Sequence, residues 1–76
     1  MEEKTTITLI DGSIINVTQE FASVIDVVHN NFITLTEAIR GRQSWYEDGE
    51  ELSRLIYEYD TIVINTRNIL TVRIYK

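Results

Sequence analysis

The chain has no cysteine and no proline, a single histidine (His29) and three scattered glycines among its 76 residues. Without cysteine there is no disulfide staple, no thiolate nucleophile and no sulfur-ligated metal. One histidine cannot be assigned to a catalytic triad from sequence, and His29 stands in a polar stretch, His29-Asn30-Asn31. Gly12, Gly41 and Gly49 are isolated and none precedes Lys-Ser/Thr, which excludes a glycine-rich phosphate loop. No proline and no low-complexity tract mark a linker, so a single domain over residues 1–76 is expected. No apolar run approaches the roughly 20 residues of a membrane span. Met1-Glu2-Glu3-Lys4 is acidic and opens no signal peptide. The expected location is the cytoplasm, and Asn16-Val17-Thr18 is read as a chance sequon. No catalytic residue, metal or cofactor is expected, and the chain is not read as an enzyme.

A chain this short buries only about 60% of the surface it exposes when unfolded. With neither disulfide nor metal, stability has to come from a well-patterned apolar core or from burial against another subunit. The hydrophobic fraction, 43%, is that of an ordinary globular protein. The net charge of −5 argues against a surface that clings throughout to nucleic acid or anionic lipid. Charge is uneven, however. Residues 1–39 hold six acids against Lys4, whereas residues 40–76 balance six acids with six bases.

Residues 5–18 alternate as two strands around a turn. A two-residue Asp11-Gly12 turn would pair Leu9 with Ile14 and mix polar with apolar groups. A three-residue loop, Ile10-Asp11-Gly12, pairs Ile7 with Ile15 and Thr5 with Val17. It gathers Ile7, Leu9, Ile15 and Val17 on one face and puts Gly12 where a left-handed residue is wanted. The same device is read at residues 24–36, with His29-Asn30-Asn31 as the loop, Asn31 left-handed, and Ile25, Val27, Ile33 and Leu35 on the shared wall. A helix competes there, because Phe21, Val24, Ile25 and Val28 fit helical spacing; the β-branched cluster Val24, Ile25, Val27, Val28 favours strand.

Further on, Arg40-Gly41-Arg42-Gln43 reads as an exposed connection. Leu52, Leu55, Ile56 and Tyr59 fall at i, i+3, i+4 and i+7, and Asp48 precedes Glu51 by three as in a capping box, which predicts a helix over 49–59. Thr61–Asn65 and Ile69–Tyr75 alternate as strands around the polar turn Asn65-Thr66-Arg67-Asn68. Ile10, Ile14, Val24, Val28 and Phe32 lie off the assigned core face, as closure into a barrel or burial by another subunit would use. The fold expected is α+β, mainly antiparallel β: about six short strands, partly closed as a small barrel or roll, with one helix near 49–59.

Ile7-Thr-Leu-Ile-Asp-Gly12, Ile15-Asn-Val17 and Ile33-Thr-Leu35 together resemble the flagellar FlbD-type small β proteins, over residues 7–36. The resemblance implies a related strand arrangement and carries no function.

Two surface groups stand out. Glu47, Asp48, Glu50 and Glu51 form the densest acidic cluster, which suits a helix N-terminus or a partner-facing patch and lacks the EF-hand spacing. Arg40, Arg42, Trp45 and Tyr46 mix cations with rings, the residue types enriched at protein–protein hot spots. The expected function is a non-enzymatic interaction module that binds a protein partner or its own copy through a strand edge and the Arg40–Tyr46 surface, of the kind phages and mobile elements encode. The alternative is a nucleic-acid-related role: a single-strand binder using Arg40, Arg42, Trp45 and Tyr46, or an acidic inhibitor of a nucleic-acid-binding enzyme. No membrane partner is expected.

Overall fold

The first turn follows directly from its sequence. The Gly12 N–H donates to the Leu9 carbonyl at 2.9 Å, and the Leu9 N–H donates to the Ser13 carbonyl at 2.8 Å. Gly12 sits at φ +91°, where a side chain is strained, and Asp11 Oδ1 accepts from the Ser13 N–H at 2.8 Å. In the computed structural model, which describes residues 2–76, this three-residue loop joins β1 (Thr5–Leu9) to β2 (Ile14–Val17). Thr5 faces Val17 and Ile7 faces Ile15, the register expected. Ile7 and Val17 are fully buried, and Leu9 and Ile15 pack against the same core.

The second hairpin expected from the sequence is absent. Residues Phe21–Val27 form a seven-residue helix, α1, entered through Glu20, and the Asn30 N–H donates to the Val27 carbonyl as it ends. Asn31 is not left-handed; among the described non-glycine residues only Asp48 has positive φ. The β-branched preference for strand lost to burial. A sheet with one apolar face needs a covering layer, and α1 supplies it by setting Val24 (fully buried) and Val27 against Ile7, Val17, Ile33, Leu35 and Ile64. A helix this short does not hold by itself in water. Ile25, assigned to the wall, is exposed instead.

The helix expected at 49–59 is also absent. Residues Phe32–Glu47 form one long strand, β3, and Glu50–Asn65 another, β4. They pair antiparallel without a break from Phe32↔Asn65 to Glu47↔Glu50. Arg40-Gly41-Arg42-Gln43 is thus the interior of β3 rather than a connection. After β4, Asn65 Oδ1 accepts from the Arg67 N–H at 3.1 Å and caps a 3-10 turn, Thr66–Asn68. The last strand, β5 (Ile69–Ile74), does not return along β4 but crosses to pair with β1. Sheet order is β4-β3-β2-β1-β5: five strands rather than six, and not closed into a barrel. The coarse class, α+β and mainly antiparallel, stands.

β2 and β3 share only the pair Val17↔Glu37. Backbone and side-chain hydrogen bonds extend this thin seam. The Thr18 N–H donates to the Thr36 carbonyl at 3.0 Å, and Gln19 Oε1 accepts from the Thr36 N–H at 3.0 Å, as a neighbouring strand would. Buried Thr5 donates its hydroxyl to the Gln19 carbonyl at 2.7 Å.

Candidate functional site

The long hairpin is set by its tip. Asp48 and Gly49 lie at φ +52° and +80°, the two positive values of a type I′ turn, whose twist matches antiparallel strands and which Asp-Gly favours. From Ala38↔Tyr59 to Glu47↔Glu50 the ten pairs run past the end of the β2 contact. At roughly 3.3 Å per residue the ribbon projects about 33 Å. The molecule accordingly measures 54 × 23 × 21 Å, with a radius of gyration of 15.5 Å, against about 11 Å for a compact chain of this length. An arm of two strands, residues 38–59, stands off a small body.

All eight candidate residues lie on this arm: Arg40, Arg42, Trp45, Tyr46 and Glu47 in β3, Asp48 in the turn, Glu50 and Glu51 in β4. Strand alternation divides them. Arg40, Arg42, Tyr46 and Glu51 share one face with Leu55, Tyr57 and Tyr59; Trp45, Glu47 and Glu50 share the other with Leu52, Arg54 and Ile56. Trp45 and Tyr46 therefore point away from each other, and the single Arg40–Tyr46 surface expected from the sequence is two surfaces. On Trp45's face, Arg54 stacks over the indole at 6.0 Å and donates through Nε to Gln43 Oε1 at 2.8 Å. On the other, Arg42 donates to Ser53 Oγ at 3.2 Å, and Tyr46 is the most exposed large ring, at 76%.

Arg40 is committed at the root of the arm. Its Nε donates to Glu3 Oε2 at 2.6 Å, with the Glu3 side chain only 1% exposed. The guanidinium lies 5.3 Å from the Tyr75 ring centroid and 5.8 Å from that of Tyr57, and Tyr57 stacks on Tyr59 at 6.2 Å. Burial pushes the Glu3 carboxyl up. Hydrogen bonds from its own backbone N–H and from Arg40, with an interaction from Tyr75, outweigh that and hold it below the ordinary value. Oε1 nevertheless completes no full hydrogen bond among the described residues. The Glu3 hydrogen bond raises Arg40 further, and burial, reinforced by Glu3, pushes the Tyr57 and Tyr75 hydroxyls up.

Comparison with known protein families, with curated proteins and with solved structures returns no match.

Among the described residues, no group of three His, Asp or Glu side chains converges as a metal requires, and no helix is long and apolar enough to cross a membrane. His29 is exposed just beyond α1. Of the apolar residues left off the core face by the sequence, Val24 is buried on the inner side of α1 and Val28 half-buried, while Ile10, Ile14 and Phe32 remain exposed. The root cluster of Glu3, Tyr57 and Tyr75 was not foreseen. Its one legible trace was the i, i+2 spacing of Tyr57 and Tyr59, which marks the same face of a strand.

Proposed function

We propose that the chain is a non-enzymatic interaction module whose projecting ribbon is its partner-binding element. The observation that carries this reading is the bare length of the arm. An isolated two-stranded ribbon is marginally stable in water, yet ten residue pairs extend here without a third strand, bearing Trp45, Tyr46, Leu52, Leu55 and Ile56. Such a ribbon offers a partner two unpaired backbone edges for strand addition and rings of the type that anchor interfaces. Arg40 serves this design as a tether between arm and body; Arg42, Trp45, Tyr46 and the acidic turn do the contacting. The nucleic-acid alternative retains Arg54 beside Trp45 and Arg42 on the opposite face, but Arg40 is engaged by Glu3 and four acids crowd the tip, so the protein partner is favoured.

The test is a trimmed arm. Removing residues 42–47 and 50–55 deletes six pairs, preserves the side-chain alternation, and leaves Asp48-Gly49 between Gly41 and Ile56. The body should keep its melting temperature within about 4 °C, because no buried residue is lost. Partners captured by the intact chain should be lost. Equal capture by the trimmed chain refutes the reading, and binding of labelled single strands with a steep salt slope would favour the alternative.

A further inference from the structure

The body has an open side of its own. β5 is the last strand of the sheet, and beside it runs a groove of about 580 Å³ lined by Phe21, Val72, Ile74 and Tyr75, with Arg73 and Lys76 among its walls. Val72 and Ile74 lie on the core side of the sheet, facing the same way as Ile7 and Thr5, but Ile74 is left 62% exposed at the end of the strand. Neither Arg73 nor Lys76 forms an ion pair among the described residues. The last sixteen residues, 61–76, contain three bases and no acid. A groove beside an unpaired strand edge is the setting for addition of an extended segment, and its cations select a negative one.

The chain carries such a segment at the far end of its arm. Residues 43–53 hold four acids and no base, and amid them stands Tyr46, an exposed ring on an exposed ribbon. The tip cannot reach the groove of its own molecule, because the unbroken ladder from Phe32↔Asn65 to Glu47↔Glu50 holds it away from the body.

Resting on the reading of the arm as the binding element, we infer that its partner is a second copy of this chain. The acidic tip of one molecule seats Tyr46 in the β5 groove of the next, with Glu50 and Glu51 against Arg73 and Lys76. Tip and groove are different surfaces, so the contact is heterologous. It closes only where two copies exchange arms or a ring forms, and otherwise extends as a filament.

Sedimentation velocity of the intact chain over a concentration series, at 0.05 M and 0.5 M salt, tests this together with two charge reversals at exposed positions, Arg73→Glu/Lys76→Glu and Glu50→Lys/Glu51→Lys. The unmodified chain should self-associate, at least about tenfold more weakly at the higher salt. Each reversal alone should raise the dissociation constant at least about tenfold, and an equimolar mixture of the two, which restores opposite charges across every contact, should associate again. Should a reversal fail to fold by circular dichroism, Tyr46→Ser at the exposed tip replaces it, with the same loss expected. A chain monomeric to about 1 mM, a variant that associates like the unmodified chain, or a mixture that stays monomeric overturns the inference. A monomeric chain that still captures another protein only with its arm intact would overturn self-docking and leave the arm's role standing.

Discussion

Replacing Gly12 by alanine and, separately, Gly49 by alanine places the same local strain in two different parts of the molecule. Both glycines have positive φ, and a Cβ on either meets nothing within 4 Å, so the penalty in each case is the backbone's alone, about 1 kcal/mol. Gly12 closes the β1–β2 hairpin, whose Ile7 and Val17 belong to the core; that strain falls on global unfolding and should lower the melting temperature by about 4–8 °C. Gly49 closes an arm that packs against no third strand beyond Glu37. The arm therefore opens without the body, and the same 1 kcal/mol appears as a roughly fivefold rise in local opening. Amide hydrogen exchange followed by NMR should show faster exchange at residues 43–54 in Gly49→Ala, with unchanged protection at Ile7 and Val17 and a melting temperature shifted by less than about 2 °C. An equal drop in melting temperature for the two variants would refute this division into body and arm. The division matters for function, since an arm that opens cheaply is free to order against what it binds.

Three further outcomes follow from the body. The Glu3 carboxyl is held below its ordinary value, so the stability it contributes is fully present above its unfolded pKa, about 4.3, and is lost as pH falls through the lower folded value. In Arg40→Met the backbone hydrogen bond still lowers the carboxyl but the guanidinium's hydrogen bond and charge no longer do, so it rises and less stability is gained as pH climbs; the gap in urea midpoint between the two proteins should widen from pH 3 to pH 7, and a constant gap would show that the pair is not coupled. Thr5→Val keeps the shape of a buried side chain but deprives the Gln19 carbonyl of its 2.7 Å donor, which should cost about 1 kcal/mol in urea unfolding; no change would mean that water takes the hydroxyl's place. Ile7→Ala removes a fully buried side chain and should cost about 3 kcal/mol, a large part of the margin of so small a domain, read as a lower urea midpoint.

The N-terminal hairpin was legible because alternation and turn chemistry agree there: only the three-residue loop puts Ile7 opposite Ile15 and glycine at φ +91°. At the arm they disagree. Asp48 followed by Glu51 reads as a helix cap, while Asp48-Gly49 reads as a hairpin turn, and Leu52, Leu55, Ile56 and Tyr59 satisfy a helical stripe. The deciding signal lies further along. Only Asp60 separates Tyr59 from Thr61, so a helix ending at 59 has a single residue in which to turn into the strand that Thr61–Asn65 forms. Continuous strand is the consistent solution, and Gly41, read as a loop glycine, fits within it: a Cβ there would stand 3.3 Å from Ile56 Cγ1, across the ribbon. α1 was not legible by local preference, because its β-branched residues are helical only for the burial of Val24 and Val27.

The candidate site was found as a stretch of chain but not as a surface, because a strand sends successive residues to opposite faces and the covered side of β3 itself changes along its length. β3 buries Ile33 and Leu35 on one face and then Ala38 on the opposite face, with no slip in its register with β4. A two-stranded ribbon coils more strongly than a wide sheet. Between Leu35 and Ala38 the covered side changes face, and Arg40, on the face of Ala38, meets Glu3 and Tyr75. Beyond that point neither face is covered. One offers Trp45, Leu52 and Ile56, and the other Arg42, Tyr46 and Leu55. An occupant that lies along an edge, as an added strand does, can reach both faces at once, whereas a flat partner reaches only one; the separation of Trp45 from Tyr46 thus argues for edge addition over docking against a flat surface.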